Sequence, residues 1–315
     1  MEVIEVTPNE YDNIIVKPHY CFNTGAFNSL NSNKCDEVYY LVFKDSKIRL
    51  GIILGRREKI AYSPFSAPFG GFEYLSKDIK LSQIDAAIES LNAWAISKKL
   101  QAIKIVLPPV FYNPNFLTKV TNCLYRAGYE NSSLDINYQF QTNNFGKDYI
   151  STIWYNARKN LRRAIKSELT FEKLAQKEGE IAYSIISENR KQRGFPLRMQ
   201  WAQVLETTTI IPADFFIVKK EAIIIAAAIV FHIAKDVVQV IYWGDLPAYS
   251  NFKTMNFLSY QIFKHYKEDG IKVIDIGPST EDSVPNHGLC EFKESIGCNL
   301  SLKSGFYKNM DTCIS

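Results

Sequence analysis

Apolar residues recur along this chain in two rhythms, and the points where one gives way to the other mark its elements. Glu37 to Phe43 and Lys47 to Leu54 are β-branched and aromatic runs parted by a turn at Ser46 and closed by the basic Gly55-Arg56-Arg57 turn. This is a meander of antiparallel strands. Leu81 to Leu100 changes period: Ile84, Ala87, Ile88, Leu91, Ala95 and Ile96 fall three and four apart, with Ser82 available as a cap and Lys98-Lys99 at the C-terminal end. The spacing predicts an amphipathic helix with one face on a sheet. Ala102 to Leu107 reads as a buried strand stopped by Pro108-Pro109, Phe116 to Ala127 as a helix closed by Gly128, and Ser133 to Phe140 as a further strand. The first half thus runs β-β-(β)-α-β-α-β. Within it, Ala61 to Tyr74 (AYSPFSAPFGGFEY) contains prolines and paired glycines that argue against a regular strand, while its aromatics keep it apolar. It reads as a pocket-lining loop or a rigid connector.

The second half repeats the pattern. Ser151 to Lys166 predicts a helix with Trp154, Ala157, Leu161, Ala164 and Ile165 as its apolar stripe, and Arg158, Arg162 and Lys166 four apart beside Lys159 and Arg163. Like charges so spaced repel, so the face is either solvated or matched by an anion. A helix from Gly179 to Arg193 is broken by Gly194 and Pro196, which leaves Arg193 and Arg198 flanking an aromatic as a candidate anion site. Asp214 to Val218, Ala222 to Ile233 and Val237 to Trp243 are strands joined by tight turns, and the middle one, apolar on both faces, belongs inside a sheet. The polar loop Leu246 to Thr254 leads to a helix, Met255 to Glu268, ended by Gly270.

The segment from Ile271 to Gly297, IKVIDIGPSTEDSVPNHGLCEFKESIG, organises the functional reading. A strand delivers Asp275 to a loop at Gly277-Pro278, and a short helix starting near Asn286 carries Phe292 and Lys293. Strand, Asp-x-Gly, polar loop and G-L-x-x-F-K-x-x-x-G resemble the C-terminal signature of the FemABX-like peptidyl and aminoacyl transferases, built from two GNAT-type acyltransferase domains. Ile296 stands where that family usually has an aromatic. The resemblance implies two GNAT-like α/β domains in tandem, of α+β type with mixed sheets flanked by helices, over residues 1–149 and 150–315, the final residues packing back on the first domain. It also implies transfer of an activated acyl or aminoacyl group to an amine, with Lys293, Phe292 and Asp275 as catalytic candidates. Lys293 would present its ammonium to a donor phosphate or to the developing oxyanion, and Lys293→Ala would leave the melting temperature nearly unchanged. The segment around Arg193 and Arg198 resembles an R-x-G-F-x-x-R segment in which an arginine contacts the diphosphate of a nucleotide-linked acceptor in that family; Arg198 is the matching position, with Arg193 next. Tyr249, Lys253 and His287 complete the substrate-binding candidates.

Acetyl-CoA enzymes of the GNAT fold usually carry a glycine-rich loop after their fourth strand, where backbone N–H groups cradle a pyrophosphate. Here that loop is LPAYSNFKT, without glycine. A coenzyme A donor is therefore disfavoured; the resemblance to the FemABX-like family, which also lacks this loop, implies an aminoacyl-tRNA donor, and either donor would be a co-substrate rather than a bound cofactor. The implied partners are a small-molecule or nucleotide-linked acceptor and tRNA. The competing readings are an acyl-CoA N-acetyltransferase and a non-catalytic GNAT-like binding protein.

Composition changes this picture little. The 315 residues suit two domains, and 46% hydrophobic residues, with 20 Phe and 18 Tyr, supply ample core. A net charge of +4 is compatible with anionic ligands but falls short of a dedicated nucleic-acid binder. Cys21, Cys35, Cys123, Cys290, Cys298 and Cys313 form no C-x-x-C pair, so neither a metal site nor a disulfide framework is expected. His19, His232, His265 and His287 are scattered, His232 in a buried strand. There is no G-x-S-x-G, H-E-x-x-H, Walker loop or G-x-G-x-x-G after a strand. No apolar run is long enough to span a bilayer and Met1 to Glu10 has no signal-peptide pattern, so the expectation is a cytoplasmic protein.

Overall fold

The computed structural model describes residues 1–310. Cys313 and the last residues of the expected C-terminal return lie outside the described residues. In chain order the elements are β1 (Glu2–Val6), α1 (Pro8–Ile14), α2 (Gly25–Leu30), β2 (Glu37–Lys44), β3 (Ile48–Arg57), β4 (Ile60–Ser63), β5 (Phe72–Tyr74), α3 (Leu81–Ser97), β6 (Ala102–Val106), α4 (Pro114–Arg126) and β7 (Glu130–Gln141). They continue with α5 (Tyr149–Thr152), α6 (Tyr155–Lys166), β8 (Leu169–Leu174), α7 (Gly179–Arg193), α8 (Trp201–Thr208), β9 (Ala213–Lys220), β10 (Ile223–Ala234), β11 (Val237–Asp245), α9 (Thr254–Glu268) and β12 (Val273–Pro278). The two-residue strands β13 (Thr280–Glu281) and β14 (Val284–Pro285), then α10 (His287–Ser295) and β15 (Asn299–Asn309), complete the order.

The chain divides into two compact units. The N-terminal unit holds Met1–Ile136, Asp282–Val284 and the described residues from Ser301 onward; the C-terminal unit holds Asn137–Glu281 and Pro285–Leu300. The division runs inside β7, upstream of the boundary read at residue 149.

In the N-terminal unit β1, β2 and β3 form an antiparallel meander, β3 pairs with both β4 and β5, β4 lies parallel to β6, and β6 is antiparallel to β15 from Gly305↔Val106 to Asn309↔Ala102. The unbroken apolar run of β2 is explained by helices on both faces. Tyr39, Leu41 and Phe43 join the cluster under α3 and α4, while Tyr40 and Val42 pack with Tyr11, Ile15 and Phe65. Thr7 and Glu10 form a capping box at α1, with Pro8 at its first turn, and Asn113 caps α4 ahead of Pro114.

In the C-terminal unit β8, β9, β10 and β11 form an antiparallel meander, β11 is parallel to β12, and β12 is antiparallel to Asn137–Gln141 of β7. Strand β10 is the middle strand expected from its composition, with Ile225 to Val230 each fully buried. Helix α7 packs on β10 and β11, and α9 on α6 and β10.

Sequence reading missed several elements: β1, β8 and the eleven-residue β15, and helices α1, α2 and α8. It also treated Ala61–Tyr74 as free of strand, whereas β4 and β5 occupy its two ends. Pro64 and Gly70-Gly71 interrupt the ladder only between them, and three or four flanking residues suffice to pair. The helix expected over 151–166 is two helices. Trp154, at ψ 150, donates its N–H to the Ser295 carbonyl (3.0 Å), which takes it out of helical conformation and leaves its ring half exposed instead of in the core stripe.

Candidate functional site

Strands β11 and β12 define the site by where they stop pairing. Their parallel register runs only from Val237↔Val273 to Gln239↔Asp275, yet β11 continues to Asp245 and β12 to Pro278. Beyond Gln239 the strands part. The β12-facing edge of Val240–Asp245 thus has no strand partner among the described residues.

At the fork sits Asp275, fully buried, its carboxylate accepting from Asn137 Nδ2 (2.8 Å), Gln239 Nε2 (2.8 Å) and the Gly277 N–H (2.9 Å). A carboxylate so saturated holds three strands together, β7, β11 and the bulged end of β12. Asn137 and Gln239 were not singled out from the sequence; a glutamine inside the apolar run VVQVIYW was the available signal.

Lys293 takes a posture other than the one expected. Asn286 caps α10 through the Leu289 N–H (3.1 Å), as the sequence predicts, but the Lys293 side chain is 2% exposed and turned onto β12. Its Nζ donates to the carbonyl oxygens of Ile276 (3.0 Å), Gly277 (2.9 Å) and Pro278 (3.0 Å), which uses all three ammonium protons. Three successive carbonyls of a regular strand cannot converge, because they alternate in direction. A bulge between Asp275 and Gly277 and the left-handed φ of Gly277, 75°, bring them to one side. The Tyr138 ring lies 5.3 Å from the ammonium, and the Tyr138 hydroxyl donates to Glu294 (2.8 Å). Burial pushes the lysine down to about 8, against the opposing pull of Cys298, Asp275 and Cys290. The expectation that Lys293→Ala would leave stability unchanged is corrected by this geometry, since the substitution strips three carbonyls of their partner.

Phe292, half-buried, meets Trp243 of β11 edge to face at 6.1 Å. Trp243 is a further residue the sequence reading passed over. Arg193, in the last turn of α7, pairs with the buried Asp245 at the end of β11 (3.1 Å), where burial raises the carboxyl. Asn189 of α7 donates to the Asp245 carbonyl (2.6 Å), so this end of β11 is tied to α7. Arg198 is largely exposed and pairs with the equally exposed Glu281 just beyond β12. Tyr249 stacks with Phe252 at 6.5 Å in the 3-10 turn after β11, and Lys253, at φ 59°, forms the N-cap of α9. His287 opens α10 and is exposed. The structure therefore brings Asp275, Phe292 and Lys293 to the fork of β11 and β12, and sets Arg193 at the far end of β11.

In the N-terminal unit, Phe65, Phe69 and Phe72 of the Ala61–Tyr74 loop are buried, and only Tyr74 borders a cavity of about 190 Å³, shared with Lys77, Asn113, Phe116 and Lys119. Among the described residues no group of three His, Cys, Asp or Glu could hold a metal ion, and no helix is long and apolar enough to cross a membrane.

No family model matches the chain, and no curated protein does. Solved structures do. The chain is similar to FemX, with a TM-score of 0.72 at 14% identity over 100% of this chain and 98% of that one. It is also similar to L-PGS from Bacillus licheniformis (TM-score 0.60, 14% identity, 96% and 92% covered) and to a tandem GNAT protein from the clavulanic acid biosynthesis pathway (0.55, 7%, 98% and 98%). The fold is of GNAT type, mixed sheets flanked by helices, and FemABX-like along the whole chain.

Proposed function

We propose that this protein is a FemABX-like acyltransferase that moves an aminoacyl group from an ester on tRNA to an amine of a small or nucleotide-linked acceptor, in the cytoplasm. The observation that carries the reading is the parting of β11 and β12 beyond Gln239 and Asp275 within a GNAT-type fold, which leaves a strand edge open beside Trp243 and Phe292. The acyl chain of the donor lies along that edge. The acceptor's unprotonated amine forms a bond to the ester carbonyl carbon, the ester C–O bond breaks, and the amine proton leaves with the ribose oxygen. An activated ester supplies much of the driving force, so positioning and electrostatic stabilisation are what the protein must contribute. Arg193 and Arg198 serve an anionic acceptor by exchanging Asp245 and Glu281 for phosphate oxygens.

The choice of donor rests on the segment after β11. It is a 3-10 turn, Pro247–Phe252, running into Lys253, and it has no glycine to let a pyrophosphate approach the backbone. Incubating the full chain with alanyl-tRNA or acetyl-CoA and a UDP-linked muropeptide, and following the product by mass, tests the reading. Transfer from the tRNA is the expected result. Transfer from acetyl-CoA alone would make the protein a GNAT N-acetyltransferase, and no transfer or thermal stabilisation by any of the three would make it a non-catalytic binding protein.

A further inference from the structure

Neighbouring residues of α10 reach the two arms of the fork. Lys293 grips β12 through the carbonyls of Ile276, Gly277 and Pro278, while Phe292 lies against Trp243 on β11. We propose that the Phe292-Lys293 pair is a brace that fixes the spacing of β11 and β12 at the opening, with Lys293 a positioning residue and not a group that touches substrate. The inference rests on the acyltransferase reading only for the identity of what enters the opening.

Two observations support it. Every ammonium proton of Lys293 is taken by a backbone carbonyl and the side chain is 2% exposed, so no donor remains for a ligand. Past Asp275, moreover, β12 has a strand partner only on the β7 side among the described residues, at Gly277↔Tyr138 and Pro278↔Asn137, so the edge facing the opening needs another hold. An ammonium seated on converging carbonyls supplies it without closing the gap, as a third strand would.

Lys293→Ala removes the cation and leaves a hole that a small alkylammonium ion fits. The brace predicts faster amide hydrogen exchange over both arms, Ile276–Glu281 and Val240–Asp245. Ethylammonium chloride should restore protection, whereas tetramethylammonium chloride, which has no N–H, and ethanol, which has no charge, should not. With alanyl-tRNA as donor, its KM should rise about tenfold while kcat holds, because the geometry lost is that of binding. If exchange increases in β12 alone, or tetramethylammonium rescues as well as ethylammonium, there is no brace. If kcat falls at unchanged KM, Lys293 touches the reacting atoms after all. Should the lysine variant fail to fold, Gly277→Ala disperses the carbonyls without crowding, since its added Cβ meets nothing within 4 Å, and the same exchange pattern is expected. A parent protein that transfers nothing would sink the acyltransferase reading and leave exchange and rescue to decide the brace.

Discussion

Each unit contains a parallel strand pair, β4 with β6 and β11 with β12, and the two pairs end differently. In the N-terminal unit β4 pairs with β6 along its whole length, Ile60↔Ala102 to Ser63↔Ile105, and then the chain turns back over the gap. Gly70 donates its N–H to the Val106 carbonyl (2.8 Å) and Gly71 to Ser63 Oγ (2.9 Å), while Tyr20 and Asn23 bond the carbonyls of Gly70 and Gly71. The loop thus takes up the Val106 carbonyl at the end of β6 and is itself held in place by Tyr20 and Asn23. In the C-terminal unit β11 outruns its pairing with β12, and nothing of the kind covers it among the described residues. On the acyltransferase reading proposed above, the strand pair that its following loop leaves uncovered is the one available to a donor, and that is the pair of the C-terminal unit.

Removing Lys293 should do most to break this contrast. Lys293→Ala leaves three buried acceptors unpartnered, a loss of about 3 kcal/mol, and scanning calorimetry should show a fall in Tm of roughly 10 °C. A shift within a degree or two of the parent would show that the carbonyl grip contributes little.

The same lysine makes stability depend on pH in a defined direction. Its folded value is pushed down to about 8, against 10.5 for the unfolded chain. Below both values each state holds the proton; between them the unfolded chain binds a proton that the folded chain has released, so stability rises with pH. Relative to Lys293→Met, the parent should gain up to about 3 kcal/mol between pH 7.5 and 10.5. Denaturant titrations of both proteins across that range measure it, and parallel pH profiles would show that Lys293 does not titrate there.

Gly71→Ala probes the covered pair. Gly71 has φ 90°, and an added Cβ would meet Leu107 Cδ2 at 2.8 Å, so a loss of about 2 kcal/mol is expected from strain and overpacking. Donor binding should be unchanged, because the opening lies in the other unit; weakened alanyl-tRNA binding by folded Gly71→Ala protein would contradict the assignment.

Arg198→Ala should have the smallest effect on stability, less than about 1 kcal/mol, since its pair with Glu281 is exposed and screened. Its mark should be a weaker affinity for a UDP-linked acceptor, measured by calorimetry. Unchanged affinity would remove Arg198 from the site.

The meander strands and the long helices were legible because each has a period of its own, and Asn286 gave the start of α10. What sequence could not give was the fate of Lys293. A lysine is buried only when enough acceptors converge on it, and here they come from a bulge and a left-handed glycine some fifteen residues earlier. Gly277-Pro278 was read as a stop signal, which it is, and not as the source of a cation seat. Trp154 failed for a related reason: a single backbone bond to Ser295 moved it from the helix interior to its cap. Strands β1 and β15 carry too little apolar pattern of their own and form through partners distant in sequence, β1 against β2 and β15 against β6.

Helix α6 carries Arg158, Lys159, Arg162, Arg163 and Lys166 and no acid, and none of the five has a carboxylate within 4 Å among the described residues. The whole chain is only +4, so without these five charges the remainder carries 4 − 5 = −1. Helix α6 is thus a local concentration of positive charge on a chain whose net charge is small. A polyanion close to this helix would meet five positive charges with no acid on the same helix, and that local attraction fades as salt shortens its reach to about 10 Å near 0.1 M.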